Sequence, residues 1–97
     1  MYKIKNRKMY DTDTATILDS YDNGFAPGDD YHLLEELYQK QLTNEFFLFG
    51  MGGFCTKYGR YSDLWTITPL TDEEAKDWIE EYGNADTYIT LFGAPEE

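Results

Sequence analysis

The chain is short of the side chains on which most catalytic and metal chemistry depends. Its 97 residues include one cysteine, Cys55, and one histidine, His32. A single thiol excludes an intrachain disulfide framework and a multi-thiolate zinc site, and it suits a reducing compartment. A single imidazole leaves no basis for a multi-histidine metal centre. Positive charge is also scarce: eight Lys and Arg stand against 19 Asp and Glu, a formal net charge of −11. Nucleic acid is therefore disfavoured as a direct ligand, because binding it relies on Lys and Arg neutralising phosphates. No apolar run approaches the roughly 18 residues that read as a membrane span. The basic start Met1-Tyr2-Lys3-Ile4-Lys5 lacks the apolar stretch of a secretory signal. The expectation is a soluble, acidic, cytoplasmic domain that meets no membrane.

The aromatics, by contrast, are plentiful: nine Tyr, six Phe and two Trp. An acidic disordered tail is poor in such rings, so the chain has the means to build a core. No Pro-, Gly- or Ser-rich linker divides it, and residues 1–97 read as a single compact domain. Charge is unevenly spread. Lys3, Lys5, Arg7 and Lys8 give the first ten residues a purely basic character, whereas residues 71–97 hold nine acids and only Lys76.

Tyr2–Lys5 and Lys8–Tyr10 read as two short strands joined by Asn6-Arg7. Residues 11–15 read as a turn or a single helical turn. Thr16–Tyr21 alternates as a strand, with Ile17, Asp19 and Tyr21 in phase, and stops at Asp22-Asn23-Gly24. Residues 31–41 fit either a helix or the first arm of a hairpin over Glu36–Lys40. The aromatic return arm Phe46–Phe49 after a short polar turn favours the hairpin. Gly50-Met51-Gly52-Gly53 is then expected to break that strand, and Pro69 to end the next one, Leu64–Thr68.

The clearest element begins at Thr71-Asp72-Glu73-Glu74, a capping box followed by Ala75, Trp78, Ile79 and Tyr82 at helical spacing. Gly83 is expected to close it from the C′ position. A last helix, capped by Asn84 or Asp86, turns Tyr88, Leu91 and Phe92 inward and ends at Gly93. The predicted fold class is α+β: a small antiparallel β-sheet with one or two C-terminal helices packed on one face.

Few constellations invite chemistry. Asp11-x-Asp13 resembles a phosphatase nucleophile motif but lacks the preceding buried strand and the large α/β domain that chemistry needs. Gly50-Met51-Gly52-Gly53 lacks the Gly-Lys-Ser/Thr of a phosphate loop. Cys55 reads as a small buried hydrophobe rather than half of a dyad with His32. No acidic cluster has the spacing of a calcium loop. The sequence therefore nominates no catalytic residue, no metal ligand and no cofactor. It nominates a surface: with the apolar stripe of the helix turned inward, Glu73, Glu74, Asp77, Glu80 and Glu81 must face outward as a row of like charge, which costs a helix a few tenths of a kcal/mol per pair. Asp29, Asp30, Glu35 and Glu36 are expected to extend it as partner-binding residues.

Several strings together resemble one family. They are Lys8-x-Tyr10-Asp11-Thr12-x-Thr14-Ala15, Leu37-Tyr38-x-Lys40, Phe46-Phe47-Leu48-Phe49-Gly50-x-Gly52-Gly53 with Lys57-Tyr58, and Pro69-Leu70-Thr71-x-Glu73-x-Ala75-x-x-Trp78, closing at Phe92-Gly93. They look like small acidic proteins of phages and integrative elements in Firmicutes, some of which are anti-CRISPR proteins against Cas9. This chain departs in having Asn44 in place of a hairpin-turn Gly, and Met51 where an acid is common. The resemblance implies an inhibitor in the bacterial cytoplasm that blocks guide RNA or target DNA binding by a Cas nuclease, and the charge argument separately points to a basic, nucleic-acid-binding protein as partner. Two other readings stand beside it. One is a small metal-dependent enzyme acting on guide RNA, with Asp11 and Asp13 or Asp29 and Asp30 holding Mg²⁺. The other is an anti-restriction or regulatory accessory protein of a mobile element.

Overall fold

A computed structural model describes all of residues 1–97. Six strands precede two helices: β1 (Tyr2–Lys5), β2 (Lys8–Asp11), β3 (Ala15–Asp22), β4 (Leu33–Lys40), β5 (Phe46–Gly52), β6 (Trp65–Leu70), α1 (Asp72–Tyr82) and α2 (Ala85–Phe92). Strands β3-β4-β5-β6 form an antiparallel meander in that order, and β1 pairs with β2 in a separate two-stranded ribbon. The fold is α+β, as the patterning predicts. The ambiguous stretch is a strand, and β4 turns back into β5 through residues 41–45, where Asn44 sits at φ 60°. Asn is the side chain after Gly that best tolerates this left-handed conformation, so the turn keeps its shape without glycine.

Both faces of the meander are covered. On one, Leu37, Phe46 and Leu48 pack against Ala75, Trp78 and Ile79 of α1, with Tyr88, Leu91 and Phe92 of α2 at the margin. On the other, Tyr38, Phe47, Phe49 and Ile67 pack under Tyr10 of the β1–β2 ribbon. A strand apolar on one side alternates, whereas a strand covered on both sides reads as a continuous apolar run. That is the physical reason for Phe46-Phe47-Leu48-Phe49, all four of which are buried. The ribbon is held to this second face by Tyr10 edge-on to Phe47, by Lys3 over the Trp65 ring, and by Lys8 bonded to Glu45 at 2.8 Å. Its Asn6-Arg7 turn has φ 53° and 63°, the paired positive values of the tight hairpin turns whose twist suits antiparallel strands.

Several local expectations need correction. Strand β5 does not break at Gly50 but runs through Gly52. Glycine is required at Gly50 because Tyr58 lies over it, and a Cβ there would overlap the tyrosine ring and hydroxyl. Pro69 lies inside β6 opposite Phe47. This strand is the edge of its sheet, where a proline can turn its missing donor away from the ladder. Gly83 caps α1 in an extended conformation (φ −95°), not a left-handed one. It is needed for room instead: a Cβ would stand 2.9 Å from an Asp19 carboxylate oxygen. Tyr82, assigned to the buried stripe, is 39% exposed and lies against Tyr21 and Trp78. Cys55 is exposed, not buried, and His32 is buried with Nε2 3.5 Å from an Asp22 carboxylate oxygen.

Candidate functional site

The capping box that opens α1 is present in full. The Thr71 hydroxyl accepts from the Glu74 amide at 3.1 Å, and a Glu74 carboxylate oxygen accepts from the Thr71 amide at 2.9 Å. This start fixes the phase of the helix, and Ala75, Trp78 and Ile79 then bury one side of it. Glu73, Glu74, Asp77, Glu80 and Glu81 are all exposed on the other. Lys76 is the one cation of the helix, and it is engaged twice, 3.4 Å from Glu73 and 5.0 Å from the centre of the Phe92 ring. The last turn carries no basic residue. Glu80 and Glu81 therefore stand at the negative end of the helix dipole, which disfavours carboxylates. Like-charge pairing opposes the row along its length and the dipole opposes its last turn, whereas Glu73 and Glu74 in the first turn are favoured by the positive end of the dipole.

The remaining nominated acids do not join it. Asp29 and Asp30 are exposed in the β3–β4 connection, where Asp29 accepts from the Tyr31 amide at 2.8 Å. Glu36 and Glu35 point to opposite faces of β4, since successive strand residues alternate. Glu36 lies on the ribbon side with Tyr38, whose hydroxyl donates to it at 3.1 Å. Burial first, and then the charge of Glu36, push the Tyr38 phenol up to about 12.

Glu35 faces α1 and is 1% exposed, so it cannot belong to an acidic surface. One carboxylate oxygen accepts from the Trp78 indole nitrogen at 3.0 Å; the other accepts from the Tyr58 hydroxyl and lies 2.7 Å from Lys57 Nζ. Its cross-strand partner is Gly50, which explains the space that Tyr58 occupies. Burial alone would raise the Glu35 carboxyl, but the bonds from Lys57, Tyr58 and Trp78 and the lysine charge outweigh it and hold the group below its usual range. Burial and the bond to Glu35 in turn raise the Tyr58 phenol. Buried charge of this kind is tolerated only when its oxygens are fully bonded, and here no buried side-chain polar atom lacks a partner. The arrangement has no opening to a substrate and works as a tie between α1, β4 and the loop before β6. A sequence signal for it exists: Leu33, Glu35 and Leu37 share one strand phase, visible once β4 is begun at Leu33 and not at Glu36.

Asp19 was also missed. Between Ile17 and Asp19 the β3–β4 register shifts by a bulge, which turns Asp19 toward the helices and Ile17 away from them. One Asp19 oxygen accepts from the Asn84 amide at 2.8 Å and from the Thr87 hydroxyl at 2.9 Å. The cap of α2 is thus supplied by a distant strand, and neither the Asn84 nor the Asp86 side chain performs it.

Asp11 accepts from the Asp13 amide at 2.9 Å, a local turn rather than a pair of free carboxylates. No three His, Cys, Asp or Glu side chains converge in a way that would hold a metal ion. No helix is long and apolar enough to cross a membrane. Set against family models, curated proteins and solved structures, the chain matches none.

Proposed function

We propose that the protein is a binding inhibitor that presents the outer face of α1 to a basic nucleic-acid-binding protein, a Cas nuclease in the bacterial cytoplasm. The supporting observation is the exposed row Glu73, Glu74, Asp77, Glu80 and Glu81, kept against the like-charge cost and against the dipole at its last turn. A Lys/Arg channel built to hold a phosphate backbone is complementary to such a row, and a tethered line of carboxylates competes with guide RNA or target DNA there. The class of partner rests on the family resemblance. Asp29 and Asp30 form a second, separate acidic point of contact.

The test uses a Cas9 nuclease freed of guide RNA. Association should slow as salt rises, since contacts between exposed charges are screened beyond about 8 Å at physiological ionic strength. The triple variant Glu73→Lys, Asp77→Lys, Glu80→Lys should weaken binding while leaving the melting temperature unchanged or higher. Glu74 is left intact because it closes the capping box. Binding that ignores salt, or that survives the triple change intact, would overturn this reading.

A further inference from the structure

Beside the acidic row lies a recess of about 350 Å³ between α1 and α2. It is lined by Ile79, Glu80 and Gly83 at the end of α1, by Ala85, Tyr88 and Ile89 of α2, and by Pro95 beyond it. Ile89 is 47% exposed, a large apolar side chain left uncovered next to charge. The volume is at the low end of ligand pockets and suits side chains of a docking segment rather than a whole element. Two features identify the occupant. The lining is mostly apolar, and the helix beside it carries six acids and one cation already engaged.

From this pairing, and resting on the reading of the acidic row given above, we infer that the α1–α2 recess seats an apolar side chain of a basic, amphipathic protein segment. The row gives the segment its orientation and encounter rate, and the recess holds it once docked. Charges at the rim of an interface act mainly on association, whereas a desolvated apolar contact at its centre acts on dissociation. The segment recognised is therefore one with Lys or Arg on one side and Leu, Ile or Met on the other. A purely cationic tail would be drawn to the row without being retained.

Two labelled helical peptides of equal length and charge separate these roles: one with Lys and a Leu face, the other with Ser replacing each Leu. The parent protein should bind the Leu peptide about tenfold more tightly, a difference that arises in dissociation. Ile89→Ser, which removes an apolar lining side chain, and Ala85→Phe, which fills the space, should each abolish that preference while leaving affinity for the Ser peptide unchanged. Both positions are exposed, and circular dichroism checks that the variants retain their helices. Equal affinity of the parent for the two peptides, or a preference that survives in both recess variants, would overturn the inference. The charge-reversed triple variant should weaken both peptides alike. If it leaves both unchanged while the Leu preference persists, the acidic-row reading fails and the recess stands.

Discussion

Glu35 shows what one buried carboxylate demands of its surroundings. Its neighbours are specified by its oxygens: an indole N–H, a phenol O–H and an ammonium, with a glycine opposite to leave space for the phenol. Since its folded-state pKa lies below the ordinary value of 4.5, its ionised form stabilises the fold above that value. The contribution is lost as pH falls through the lowered folded-state value. Glu35→Gln should therefore lower stability at pH 7 by about 2 kcal/mol, the worth of a hydrogen bond to a charged group. Urea titrations of parent and variant should converge on acidification below pH 4.5. A gap that stays constant from neutral to strongly acid pH would show that the Glu35 charge contributes nothing.

At the scale of elements, α2 depends on a residue far from it. Asp19→Ala removes the acceptor for the Asn84 amide and the Thr87 hydroxyl, and should cost about 1 kcal/mol, the usual worth of a lost N-cap. Amide exchange should quicken more across α2 than in β5; protection of α2 equal to the parent's would refute this role. The contrast with α1 explains what was legible in the sequence. Helix α1 was readable almost to the residue because its signals are local, a box over Thr71–Glu74 and a stripe at Ala75, Trp78 and Ile79. The β4–β5 hairpin was readable from its polar turn and aromatic return arm. The cap on α2 was not, because a bulge re-aims Asp19 and no local pattern marks it. Nor was the covering of both sheet faces. The run at Phe46–Phe49 marks a doubly buried strand, but the run by itself does not name Tyr10 and the N-terminal ribbon as the second cover. Of the acidic site, the five residues of α1 were legible from phase alone, whereas the placement of Glu35 and Glu36 depended on a strand boundary.

The molecule as a whole is a three-layer slab, with extents of 38 × 34 × 19 Å. The basic ribbon lies on one broad side and the acidic helices on the other. The two cores meet through a single sheet, so they should melt together. Tyr10→Ala on the ribbon side should cost about 3 kcal/mol. In a Trp65→Phe background, which leaves Trp78 on the opposite side as the sole tryptophan, its urea transition followed by fluorescence should move to lower denaturant by the corresponding amount. A Trp78 signal unmoved by this change would reveal two independently unfolding layers. The wiring of the carboxylates also has a consequence during synthesis. Glu35 and Asp19 emerge from the ribosome early, but their partners are Lys57, Tyr58 and Trp78 for the first and Asn84 and Thr87 for the second. Until those residues exist, burying either charge is unfavourable, and the first strands gain little by closing over them. The helix face is thus sealed only when the last helix is made, so a nascent or prematurely terminated chain remains open on that side to chaperones and proteases.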